Sequence, residues 1–249
     1  MKKIRSVHSK PLTVNRAPND QNGKRQTVNG KRLVIFDLDN TLVDFFKIHD
    51  RAFHKTLKKL FKCEGCYKKV DFAGRIIPDS IRDMCKLCRI PAFFVEMNIS
   101  KAMKVYEKAF LDAMPGKAKK FIVPGVVKLL NALKGKHKLA LVTSDQKRVT
   151  KKILQATRLG RYFPIKIYGE DAKTRPERVK LAIEKSKHAG SVVVIGDSVH
   201  DVDAGKANNA MTIAMLTGPT TKERLIKHQP DFIFNNFKNI KKIIEAIER

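Results

Sequence analysis

The sequence predicts an α/β protein: a three-layer α/β/α, Rossmann-like core with a parallel sheet, into which an all-helical cap is inserted. Three observations lead there. Short apolar runs rich in β-branched residues recur, beginning with Leu33-Val34-Ile35-Phe36. Runs that are apolar at every position mark strands buried on both faces, as strands of a parallel sheet are. Segments of helical periodicity alternate with these runs, the pattern of strand–helix–strand units. Finally, about a hundred residues separate the first run from the second without a convincing strand, whereas a crossover needs only about a dozen.

Taken in order, residues 1–30 combine Pro11, Pro18, Gly23, Gly30 and scattered basic residues with no apolar period. They read as a disordered basic tail that cannot bury enough surface to fold. The first strand, 33–36, follows. Residues 46–121 read as the cap, with helices over 47–62, 79–90 and 98–113. The remaining strands are 139–142, 165–168, 192–195 and 212–214, with a weaker one at 232–234. Helices are expected at about 125–135, 147–158, 176–188 and 201–209. A last one, about 237–249, places Ile240, Ile243, Ile244 and Ile247 on one face. The core is thus 31–45 plus 122–249.

The chain has 249 residues, 43% hydrophobic and 31% charged, which excludes a wholly disordered or fibrous protein. Its apolar runs reach about four residues, far short of the twenty or so of a membrane span, so no membrane partner is expected. The 52 Lys and Arg against 24 Asp and Glu give a net charge of +28. Such a surface attracts polyanions, nucleic acid among them, but it also fits a merely well-solvated surface. Four cysteines in a chain with no secretory signal point to a reducing, cytoplasmic compartment.

The first strand runs straight into Asp37-Leu38-Asp39-Asn40-Thr41. Two carboxylates so close raise each other's pKa unless a cation or a shared proton intervenes. The fourth strand ends in Gly196-Asp197-Ser198-Val199-His200-Asp201. In a parallel sheet both ends lie on one edge, so Asp37, Asp39, Asp197 and Asp201 can converge there as hard oxygen donors suited to Mg²⁺. The strand at 139–142 ends on Thr143-Ser144, and Lys173-Thr174-Arg175-Pro176 offers a cation before a helix. A carboxylate, hydroxyls, an ammonium and a metal together describe phosphoryl transfer.

These motifs resemble those of haloacid dehalogenase-superfamily hydrolases with a helical cap after the first strand, the phosphoglycolate phosphatase-like type. Asp37-x-Asp39-x-Thr41 is similar to the family's first motif, Thr143 to its second, Lys173-x-x-Pro176 to its third and Gly196-Asp197-Ser198-x-x-Asp201 to its fourth. The resemblance covers about residues 31–235. It implies that Asp37 attacks phosphorus to form an aspartyl-phosphate and that Asp39 is acid and then base. It implies Mg²⁺ on Asp37, the Asp39 carbonyl and Asp197, with Asp201 a ligand through water or an orienter of those ligands, and Thr143, Ser144 and Lys173 holding the phosphoryl oxygens. Asp39 favours phosphate esters over halides, because halide leaves without a proton. The chain departs from the family pattern at Asn40 and Asn209, where Gly is common, at Thr174, where Pro is usual, and at Phe45, where Ser is frequent.

Within the cap, Gly74-Arg75 resembles a pair that faces the active site in similar caps, so Arg75 is a candidate for an anionic substrate group; an ordinary surface arginine is the other reading. Cys63-x-x-Cys66 and Cys85-x-x-Cys88, eighteen residues apart, match a structural zinc site. Alternatively, Cys85 and Cys88 sit on the buried face of a helix with Ile81 and Met84. Met84, Phe93, Phe94, Met97, Met103, Tyr106 and Phe110 read as packing between cap helices. The expectation is therefore a Mg²⁺-dependent phosphatase of a small phosphorylated metabolite. Two rivals stay open: a phosphomutase of the same superfamily, and a basic nucleic-acid-binding protein with a secondary phosphatase site.

Overall fold

The sheet grows outward from a strand with no exposed side chain: β1 (Leu33–Phe36) is buried at all four positions. In the computed structural model, which describes residues 30–63, 70 and 74–249, five further strands join it, all parallel. They are β2 (Lys138–Val142), β3 (Ile165–Ile167), β4 (Val192–Gly196), β5 (Met211–Met215) and β6 (Phe232–Phe234). The order across the sheet is β3-β2-β1-β4-β5-β6. The tail proposed for residues 1–30 falls, up to residue 29, outside the described residues, as does Cys66.

Helices cover both faces. Val34 and Phe36 share a core with Leu129 and Leu130 of α4 (Val126–Leu133), Val149 and Ile153 of α5 (Lys147–Thr157), and Ile243 and Ile247 of α9 (Ile240–Glu248). Leu33 and Ile35 point the other way, joining Val179 and Ala182 of α6 (Arg175–Ser186) and Ala204 of α7 (Val199–Ala207). This two-residue alternation makes three layers, each apolar side chain contributing about 1.5–3 kcal/mol of burial. A short α8 (Lys222–Lys227), capped by the Thr221 side chain, has no counterpart among the helices expected from sequence.

Among the described residues, three helices form the insertion that follows β1, before α4 leads into β2: α1 (Phe46–Phe61), α2 (Ile77–Leu87) and α3 (Ala92–Ala113). Buried Phe53 of α1 meets buried Tyr106 of α3, with ring centroids 4.6 Å apart. α3 starts six residues before the expected 98, at Pro91 as its N-cap. That start changes the reading of three aromatic and thioether side chains. Val95, Ala102, Tyr106 and Phe110 form the buried stripe, and Phe93 and Met97 fall opposite it by helical periodicity. Phe93 is 69% and Met97 79% exposed, and Phe94 is also exposed. Met84, Tyr106 and Phe110 are buried as expected.

The zinc reading is corrected. Cys63 and Cys88 are bonded to each other, their Cα atoms 6.1 Å apart. Cys85 is a buried thiol whose pKa burial pushes up to about 12. Among the described residues, both candidate metal clusters are built without cysteine. Among those residues, too, no helix is long and apolar enough to cross a membrane.

Candidate active site

Register aligns the chemistry. Phe36 pairs with Leu141 on one side and Ile195 on the other, so the residues after β1, β2 and β4 leave the sheet side by side. The strand order also reverses at β1, and crevices at such points bind ligands in open α/β sheets. Asp37 extends the ladder, its N–H donating to Ile195 O at 2.9 Å. Asn40 then adopts a left-handed conformation, φ 56°, which Asn tolerates better than most residues. The loop closes with Asn40 N–H donating to Val43 O at 2.6 Å. Thr41 Oγ1, fully buried, donates to Asp197 Oδ1 at 3.0 Å and ties the two acidic loops together. Asp201 lies in the first turn of α7, accepting from Ser198 N at 3.0 Å and Ser198 Oγ at 2.6 Å. Gly218 lies so close that a Cβ there would be 1.7 Å from Asp197 Oδ2.

The structure leaves the Lys173 side chain exposed and outside the residues that line the cavity. Thr174 is the N-cap of α6, its Oγ1 accepting from Glu177 N while Glu177 accepts from Thr174 N. Lys173 therefore precedes the helix, and Arg175, its first residue, turns inward. Buried Arg175 donates to Asp37 Oδ1 and pairs with Asp201 Oδ1. It also donates to Ser144 Oγ at 3.2 Å. Arg178, one turn on and buried, donates to Ser144 Oγ at 3.1 Å and to Ala172 O at 2.9 Å.

Buried Thr143 follows β2, its Oγ1 accepting from Asp145 N at 3.1 Å. Ser144 Oγ donates to Gly74 O of the cap at 2.8 Å, a direct link between cap and core. Gly74 sits in the left-handed region at φ 69°, where a Cβ would come within 2.8 Å of His200 Cβ. Arg75 lines the cavity, but its guanidinium pairs with Asp83 of α2. The cavity encloses about 140 Å³ between the carboxylates and the cap residues Phe46, Phe53, Ile77 and Ser80.

The profile of the haloacid dehalogenase-like hydrolases matches residues 34–215, a span that contains every one of these carboxylates. The chain belongs to that family. Among its relatives, a probable phosphatase IndB of Dickeya dadantii is 29% identical over 223 residues, covering 84% of this chain and 92% of that one. A phosphoglycolate phosphatase of Aquifex aeolicus is 28% identical, covering 86% and 97%. The crystal structure of a predicted phosphatase from Clostridium acetobutylicum superposes with a TM-score of 0.69 at 24% identity, covering 87% and 99%, and shows the same fold.

For a haloacid dehalogenase-like hydrolase the acidic centre fits a divalent cation. Oxygens of Asp37, Asp197 and Asp201 lie within 4.8 Å of one another, and all three residues are buried. Burial raises Asp37 to about 7, and Asp201 and Asp39 add to the rise against the pull of Arg175. Burial also lifts Asp197 well above the carboxylate range, helped by repulsion from Asp37 and Asp201. Hard oxygens carrying more negative charge than one guanidinium offsets suit Mg²⁺.

A second cluster, which the sequence motifs do not reveal, surrounds Asp39. His49 of α1 places Nε2 3.2 Å from Asp39 Oδ1 and 3.7 Å from Asp145 Oδ2. Its Nδ1 lies 2.5 Å from Tyr106 Oη. Burial opposes charging His49, but Asp145 and Asp39 outweigh it and raise its pKa to about 9. Burial works against ionised Asp39 too, yet His49 brings it below its ordinary value. Burial and Asp39 hold Asp145 well above the carboxylate range. The cap thus supplies a cation to the core's second carboxylate.

Proposed function

We propose that the chain is a Mg²⁺-dependent phosphatase that hydrolyses small phosphomonoesters through an aspartyl-phosphate on Asp37. One observation carries the reading: Asp37 is a buried carboxylate at the head of the central strand, with Arg175, Asp197 and Asp201 around it and Asp39 in the same cavity. Asp37 Oδ attacks phosphorus, and the bond from phosphorus to the ester oxygen breaks. Asp39 delivers a proton to the departing alkoxide. Protons for that step are held on both neighbours of Asp39, the His49 imidazolium and the Asp145 carboxyl. Asp39 then takes a proton from water, which attacks phosphorus and frees Asp37.

Thr143, Ser144 and Arg175 line the cavity and would hold the phosphoryl oxygens as charge builds on them. Asp37, the Asp39 carbonyl, Asp197 and Asp201 would hold Mg²⁺, which supplies charge neutralisation at the phosphoryl group. The cavity is below the 300 Å³ or so of an ordinary ligand pocket, and its cap wall is Phe46, Phe53 and Ile77, which favours a short substrate. Named phosphatases among the relatives support the same chemistry.

The test is a panel of phosphomonoesters graded from two to six carbons, with released phosphate as readout. Asp37→Asn should fall to background with magnesium present while keeping its circular dichroism; full activity in that variant would refute the mechanism. Asp39→Asn should lose about 10²–10⁴-fold. Free phosphate as product separates hydrolysis from transfer within a sugar, since a mutase returns isomer without it.

A further inference from the structure

Along the β3 edge of the sheet lies a larger hollow that the hydrolytic chemistry does not use. It is shallow and open to solvent, about 490 Å³ of space over α5, the turn Leu159–Tyr162 and β3. Lys151, Arg158, Arg161 and Lys166 line it together with Leu154 and Tyr168, and no carboxylate lines it. Among the described residues none of these four cations is in an ion pair. Arg161 instead stacks 4.9 Å over the Tyr162 ring, and Lys166 donates to the Phe163 carbonyl.

The charge here is denser than folding requires. Residues 147–168 hold seven Lys and Arg and no Asp or Glu. The first turn of α5 carries Lys147 and no acid of its own; the carboxylate that meets its N-terminus comes from outside the helix, Glu170 accepting from Lys147 N at 3.0 Å. The basic surface continues through Lys117, Lys119 and Lys120, a segment joined to α5 where Ala118 N donates to Ala156 O at 3.1 Å. Burial also holds Lys166 below its ordinary pKa, a cost that an anion in the hollow would offset.

We infer that this hollow binds the phosphodiester backbone of a single-stranded nucleic acid. A flexible strand can bend into a concavity and bring successive phosphates to successive cations. The net charge of +28 supplies the long-range attraction that brings a polyanion to the surface, and the hollow supplies the place where it is held. The inference stands apart from the phosphatase reading, because none of the acidic residues of the catalytic cavity lines this one.

The experiment uses the full chain and a fluorescein-labelled 20-nucleotide oligouridylate, followed by anisotropy across a salt series. The groove variant is Lys151→Glu/Arg158→Glu/Arg161→Glu. The control, Lys238→Glu/Lys241→Glu/Lys242→Glu, changes exposed residues just before and within α9 by the same total charge. The groove variant should bind at least about tenfold more weakly at low salt. Its slope of log K on log salt should be shallower by about 2, at roughly 0.7 for each phosphate that is no longer neutralised. The control should change less than about threefold, and p-nitrophenyl phosphate hydrolysis should be unaltered in both. A milder Lys151→Ala/Arg158→Ala variant should show the same effect in smaller degree, should the triple variant unfold. Three results would overturn the inference: no binding by the native chain at low salt, equal losses in groove and control variants, or a groove variant that loses phosphatidylserine vesicles but keeps the oligonucleotide.

Discussion

Two positions separate Lys173 from Arg175, and the start of a helix decides which of them meets Asp37. Thr174 caps α6 through Glu177, so Arg175 enters the first turn pointing at the sheet edge while Lys173 stays in solvent. The sequence contained the signal for this difference, because Thr174-x-x-Glu177 is a capping box, whereas counting from a family motif points to Lys173, which lies before the cap. Lys173→Ala should leave kcat within about twofold. Arg175→Ala should cut kcat by about 10²–10³-fold, as loss of a transition-state charge donor does, and it should lower Tm because it leaves Asp37 and Asp201 buried and unpaired. Steady-state kinetics and thermal melts of the pair decide the assignment; a collapse of Lys173→Ala with an active Arg175→Ala would return the role to Lys173. His49 was less legible. It lies ten positions beyond Asp39 on a cap helix, and only the packing of α1 over the sheet edge brings Nε2 to 3.2 Å. Asp145, directly after Thr143-Ser144, could have been found from its place at the same edge.

At the scale of elements, continuous apolar runs were enough to locate β1, β2, β4 and β5, because a strand with helices on both faces has no polar face to blur the pattern. The third cap helix was harder. Phe93, Phe94 and Met97 look like core residues in sequence, and it takes the true start at Ala92 to show that they lie off the stripe packed on α1. α8, with six residues, is too short for periodicity to register. The cysteines show how spacing misleads: two CxxC pairs fit a zinc template, while the fold pairs Cys63 with Cys88 and sinks Cys85 into the α2 face. A fully buried thiol with its pKa at about 12 should resist Ellman's reagent in the native protein and react only on unfolding in guanidinium. Metal analysis should find no stoichiometric zinc. Fast native labelling of Cys85, or one zinc per chain, would contradict the cap as described.

Across the whole molecule, the fold gathers like charges at one sheet edge, and that arrangement makes stability depend on pH and metal together. Asp37 has a folded pKa of about 7 against an ordinary 3.8. The metal-free native state therefore holds a proton that the unfolded chain releases, and its stability falls as pH rises from about 4 to 7. Under the proposed function Mg²⁺ would take the place of that proton, so its binding should release protons and tighten as the carboxyl ionises. His49 runs on a separate range: its raised pKa stabilises fully below 6.5 and is lost as pH rises through about 9. Consequently 10 mM magnesium should raise Tm more at pH 8 than at pH 5.5, and Asp197→Asn should abolish most of that difference. Differential scanning calorimetry at the two pH values reads both effects. Equal shifts at the two values would mean that magnesium binds somewhere other than the buried carboxylates, and the proposed hydrolysis would lose the centre that it requires.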